Sequence, residues 1–305
     1  MRKTVLYIAS LATALFSTGC FHENHELGSL ESGKGLIGTS LIWEMPEDAS
    51  TGIHALTVSV GGAATPFSKH YRDARDAAGE FIAVASGRND ILATVNMIDS
   101  DGFSISGMPA SKSESGVGDV TVSLKNPVSS PQQAWFGVTG ADVKEKDITI
   151  IEPTLQRLLS SVSVNLINVP AGTNVVLTLS NVAKSVNLTA KDANGRYGVP
   201  STESVGDLEI ASYTAAAAGP MTLEGFTVLP TASSFARCIL TIDVTSPNGN
   251  KTQSVCDAPH TESGKSYTLD LDFKTIRPYM YLDTYSISEW EDGWTVNGEI
   301  LNPQN

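Results

Sequence analysis

Three cysteines, five histidines and 7% aromatic residues are a sparse endowment for a chain of 305 residues. So few cysteines exclude a disulfide-built scaffold and a cysteine-rich zinc module. His22, His25, His54, His70 and His260 are scattered, and none stands at a metal-ligand or nucleophile-base spacing. There is no Gly-x-Ser-x-Gly elbow, and Gly33-Lys34-Gly35 lacks the order of a phosphate loop. Basic residues are also few, 20 against 33 acidic, giving a formal charge of -13 that opposes nucleic acid and anionic lipid as partners. Beyond the first twenty residues no apolar run is long enough to cross a bilayer. Neither catalysis, a cofactor nor a bound metal is expected.

What is present begins at the N-terminus. Arg2 and Lys3 precede an apolar run from Val5 to Phe16, and small residues then lead to Cys20. That is a secretory leader, and Ser17-Thr18-Gly19-Cys20 resembles a bacterial lipobox, with Ser17 where a leucine is usual. It implies cleavage after Gly19 and acylation of the Cys20 thiol, leaving an outer-membrane lipoprotein at the cell surface, held by acyl chains worth ~0.8 kcal/mol per buried methylene. Residues 20–35 are polar and without period, as a tether would be.

From Leu36 onward the pattern is that of short strands. Leu56, Val58 and Val60 alternate with small polar residues, as do Val162, Val164 and Leu166, and clusters of Gly, Pro, Ser and Asn separate such runs. The class is mainly β, antiparallel sheets packed as sandwiches. Residues 36–152 and 153–305 are read as an N-terminal and a C-terminal domain behind the leader (1–19). Phe67 to Ala78 has near-helical apolar spacing and predicts a helix. Cys238 and Cys256 lie equidistant from Pro247 in a strand-turn-strand, which predicts a cross-hairpin disulfide in an exported protein. Trp135-Phe136, in a Pro/Gln-rich stretch, is the candidate for an exposed sugar-stacking platform.

Four pieces of the second half resemble the fimbrillins, the type V pilus proteins of Bacteroidota. They are Thr154 to Val164 (TLQRLLSSVSV), Phe226 to Pro230 (FTVLP), Gly264 to Leu271 (GKSYTLDL) and Ile287 to Trp290 (ISEW). The resemblance implies two transthyretin-like Greek-key β-sandwich domains, export as a lipoprotein, and assembly with other fimbrial subunits by β-strand exchange. It also implies a role in adhesion, with a host or bacterial surface receptor as a further partner. In stalk members a trypsin-like protease cuts after an arginine near the first strand, and a neighbour's strand fills the groove.

This chain departs from that pattern. Between Cys20 and Tyr71 it has no arginine, and Lys34 and Lys69 are its only lysines there. The first strand, Leu36 to Met45 with Leu36, Leu41 and Trp43 as its apolar contacts, is therefore expected to stay, as in an anchor or minor subunit. Trp294, Val296 and Ile300, at period-two spacing near the C-terminus, read first as the last strand of the second sandwich or a hairpin with Ile287 to Trp290, and otherwise as a strand given to a neighbour, the second strand-exchange candidate. A surface glycan-binding lipoprotein serving nutrient uptake is the alternative function. Metabolic labelling with an alkyne fatty acid should mark the wild-type chain and leave Cys20→Ser unmarked, with the variant lost from the membrane fraction.

Overall fold

The computed structural model describes residues 29–44, 54–62, 67–97, 102–107, 118–126, 131, 133–274 and 279–289. Cys20, and the C-terminal candidates Trp294, Val296 and Ile300, lie outside them. The first half carries β1 (Lys34–Thr39), β2 (Ile42–Trp43), β3 (Leu56–Gly62), β4 (Phe67–Tyr71), β5 (Phe81–Ala85), β6 (Gly87–Val95), β7 (Phe103–Ser106), β8 (Thr121–Leu124), β9 (Trp135–Val143) and β10 (Ile148–Ile151). The second carries β11 (Thr154–Arg157), β12 (Ser160–Val169), β13 (Asn174–Ser180), β14 (Ser185–Lys191), β15 (Tyr197–Pro200), β16 (Leu208–Thr214), β17 (Gly219–Val228), β18 (Cys238–Thr245), β19 (Lys251–Ala258), β20 (Lys265–Lys274) and β21 (Tyr279–Glu289). The fold is mainly β and built of packed sheets, as its period-two sequence implies.

A three-stranded sheet in the order β10-β1-β5 faces a six-stranded sheet, β2-β11-β9-β6-β3-β4. Between them Ile37, Val58, Val84, Ile91, Val143 and Leu155 form one apolar core. The six-stranded sheet is apolar on its other face as well. Ile91, Ala93 and Val95 of β6 point into the first core, whereas Leu92 joins a second. In β9 Trp135 belongs to the first core and Phe136 to the second. Successive strand residues point to opposite faces, so a sheet buried on both sides shows no alternation in its sequence.

The second core continues into the C-terminal half. There β17-β12-β20-β21 and β16-β13-β18-β19 pack face to face through Val164, Leu166, Leu177, Ile242, Leu269 and Leu271. A further sheet, β15-β14-β8-β7, joins strands from both halves: Val186 of β14 pairs with Val122 of β8. β11 likewise hydrogen-bonds back to β9 and β2. Backbone ladders thus cross the expected boundary near Ile151 to Pro153 in both directions.

Two expectations are corrected. Phe67 to Ala78 is not a helix. Its first five residues form β4, an edge strand paired with β3 from Leu56↔Tyr71 to Val60↔Phe67, and only Ala74–Ala77 turn, as a 3-10 segment. Tertiary pairing outweighs a helical pattern this short. Hydroxyls reinforce that ladder, Ser59 Oγ meeting Ser68 Oγ at 2.8 Å, and the Asp73 carboxylate accepts the Arg75 backbone N–H at the turn.

Nor is there a bridge between Cys238 and Cys256, which are free thiols. Thr245↔Lys251 closes a five-residue loop, so the hairpin centres on Asn248 rather than Pro247. Cys238 then faces Ala258, and Cys256 faces Leu240. The two cysteines are diagonal neighbours, a spacing of about 7–8 Å that a disulfide does not span without backbone movement. Cys238 is buried beside Thr231 Oγ1 at 3.1 Å, and burial pushes its thiol up. Burial pushes Cys256 up to about 11. Thiols so far from deprotonation are poor nucleophiles. Iodoacetamide at pH 8 should therefore label both cysteines only after denaturation, and reductant should leave the melting temperature unchanged.

Candidate functional site

The candidate segment is the first strand, whose removal would open the first sandwich. β1 is the middle strand of its sheet, antiparallel to β5 (Ile37↔Ile82) and parallel to β10 (Ile37↔Thr149). β2 then continues the same course on the other sheet, parallel to β11 (Ile42↔Thr154, Trp43↔Leu155). The register does not slip between the two. Leu36 N–H donates to Asp147 O at 2.9 Å, Ser40 to Ile151 O at 2.9 Å, Ile42 to Pro153 O at 3.1 Å and Glu44 to Leu155 O at 2.9 Å. Residues 34–44 are thus one ribbon that crosses from the smaller sheet to the larger and holds both.

Its side chains explain why it stays seated. Odd-numbered positions face the first core: Ile37 is fully buried there, and Leu41 and Trp43 are half-buried against it. Each buried aliphatic side chain contributes about 1.5–3 kcal/mol. Leu36, grouped with Leu41 and Trp43 in the sequence, has the opposite parity and is buried on the other face. The matching core residue is Ile37, and counting back in twos from Trp43 would have found it.

The ribbon's glycines record close approach. A Cβ on Gly35 would collide with Lys144 O, and one on Gly38 would meet Ile150 Cδ1 at 2.9 Å and Phe81 Cε1 at 3.0 Å.

Both ends of the ribbon are fastened. At the start, the Gly33 N–H and the Ser32 hydroxyl donate to Glu145 Oε1 at 2.8 and 3.0 Å. The Gly33 N–H and then the Ser32 hydroxyl hold the Glu145 carboxyl below its ordinary value, so it stays an ionised acceptor to lower pH than a free glutamate. Lys34 pairs with Glu31 at 2.8 Å, its carbonyl accepts the Lys146 N–H at 2.8 Å, and the Gly33 carbonyl accepts the Ser86 N–H at 2.8 Å. At the far end Trp43 packs on His54 with ring centroids 5.0 Å apart, and edge-on against Trp135 at 5.6 Å. His54 in turn meets Trp135 at 5.1 Å, closing a three-ring cluster. Trp135 and Phe136 are only 4% and 1% exposed, so the platform expected for sugar stacking does not exist there.

The positions of the arginines matter to the same question. Arg72, the first arginine after Arg2, follows β4, so a cut there would remove four strands rather than one. Arg75 is engaged with Asp73.

No family model matches the sequence, and no curated protein matches it. Solved structures do. The fimbrial anchor protein Mfa2 of Porphyromonas gingivalis is 12% identical, with a TM-score of 0.55 over 86% of this chain and 99% of that one. A candidate adhesin of Bacteroides ovatus is 12% identical, at 0.52 over 76% and 84%. A candidate adhesin of Bacteroides thetaiotaomicron is 10% identical, at 0.52 over 88% and 99%. At such identities the likeness is one of fold. The structural neighbours are fimbrial anchor and candidate adhesin proteins of Bacteroidota, in keeping with the resemblance read from the second half of the sequence.

Ile37→Ala should destabilise the chain by about 2–5 kcal/mol, as expected for a large buried aliphatic cut to alanine. Gly35→Ala should cost about 1–3 kcal/mol by overpacking against backbone. Leu36→Ala should leave the first core intact. Urea unfolding of the three variants measures this ranking.

Proposed function

We propose that the chain is a non-catalytic, lipid-anchored subunit of a cell-surface fimbria, of the anchor or minor type, which keeps its first strand. The observation that carries this reading is the unbroken ribbon of residues 34–44, paired on both sides along β1 and embedded in the first core. Taking it out would strip hydrogen bonds from β5, β10 and β11 together and uncover apolar core, a combination that exposes sheet edges to any passing strand.

The sequence around the ribbon supports retention. Its only basic residue is Lys34, whose backbone carbonyl is hydrogen-bonded, and a protease needs its target unfolded locally before it can cut. The neighbouring structures are in keeping with the role, one of them being a fimbrial anchor. In this reading Cys20 holds the outer membrane and the C-terminal half contacts the next subunit by strand exchange, with Trp294, Val296 and Ile300 as the donated face. Surface adhesion to a receptor follows from presenting such a fibre.

Deleting the protein in its native host tests this directly. Fibres should be shed into the medium, or change in length, and wild-type chain should restore their attachment where Cys20→Ser does not. Fibres that remain attached and unaltered in the deletion strain would refute the anchoring role.

A further inference from the structure

We infer that the parallel ladder of residues 34–44 is a load-bearing clamp, which resists a pull on the N-terminus in shear. The source of the load rests on the anchoring reading above, whereas the clamp is a property of the ladder itself.

Where a pull enters and leaves decides how paired strands fail. Strands pulled from the same end lose their hydrogen bonds one after another, each bond carrying the load alone. Strands pulled from opposite ends must slide past each other, and the bonds share the load. β1 and β10 run parallel. A load from the membrane side enters at Gly33 and Lys34, the N-terminal end of the ladder. The chain leaves the ladder through β11 into β12, at its C-terminal end. The opposing pulls therefore act at opposite ends. The bonds are loaded together, from the Lys146 N–H on Lys34 O to the Glu44 N–H on Leu155 O. β5, on the other side of β1, is crossed by the same slide (Ile37↔Ile82).

The side chains oppose sliding as well. A pull on the N-terminus moves each residue of β1 toward the place of the one before it. A slip of two residues, the smallest that keeps the buried face inward, would carry Ile37 into the place of Gly35. There even a Cβ collides with Lys144 O. The same slip would bring Ser40 to the place of Gly38, which Ile150 and Phe81 close off. It would also draw Trp43 away from His54 and Trp135.

The parallel pair of the second half is loaded differently. β20 runs parallel to β12, but β21 returns beside it, so Glu289, opposite Lys265, lies at the same end as Ser161, opposite Ser266. A pull at Glu289 peels β21 from β20. The first half is thus the part built for tension. Forced unfolding follows the unfolding rate and not equilibrium stability, so a clamp of this kind adds what a larger core alone would not.

The test is single-molecule force spectroscopy on the chain with one handle at its N-terminus and a second at Lys144 or at Glu152. Both sites are exposed, Lys144 beside the start of the ladder and Glu152 just beyond β10. At one loading rate the Glu152 attachment should rupture at severalfold higher force than the Lys144 attachment. Equal forces, or a higher force through Lys144, would overturn the clamp. Fibre attachment in the deletion strain reads the anchoring role separately, so either idea can fail alone.

Discussion

The structure depends on one parallel ladder. Residues 34–44 run beside 146–156 in a single register, with Leu36 on Ile148 and Trp43 on Leu155. A parallel pair needs a long crossover, and here the crossover is nearly the whole first half of the chain. The ladder brings the two ends of that half together and passes from one sheet to the other on the way. Its partner β10–β11 makes the same passage through Glu152 and Pro153, and β5 passes to β6 through Ser86 alone.

The second half repeats the device. β12 lies between an antiparallel partner, β17, and a parallel one, β20 (Val164↔Leu269), as β1 lies between β5 and β10. The difference is in what precedes the strand. β12 follows β11 with two residues between, and Leu158 and Leu159 of that link are fully buried. β1 follows a largely polar stretch of sequence, residues 21–33. Only the first of the two equivalent strands can therefore leave without cutting the fold in half. Its fastenings at Glu145 and at the Trp43–His54–Trp135 cluster bear on whether it does.

Much of this was legible in the residues, and the failures have physical causes. Strands with one buried face announced themselves, as at Val162, Val164 and Leu166. β9 did not, because Trp135 and Phe136 enter different cores and the alternation is erased. Phe67, Tyr71, Ala74 and Ala78 fit a helical spacing, and only the partner strand β3 decides that β4 is extended. The cysteine pairing failed by one residue of loop centre, which moves the register by two. Leu36 opens the apolar run of the first strand, although parity assigns the core to Ile37.

Mass spectrometry of the N-terminus of this protein, taken from native outer membranes and from sheared surface fibres, bears most directly on the central idea. The account predicts an acylated Cys20 and intact peptides covering Leu36 to Trp43 in both fractions. An N-terminus beyond Met45 in the fibres would contradict it, and would make the chain a polymerising subunit whose first strand is replaced by a neighbour's.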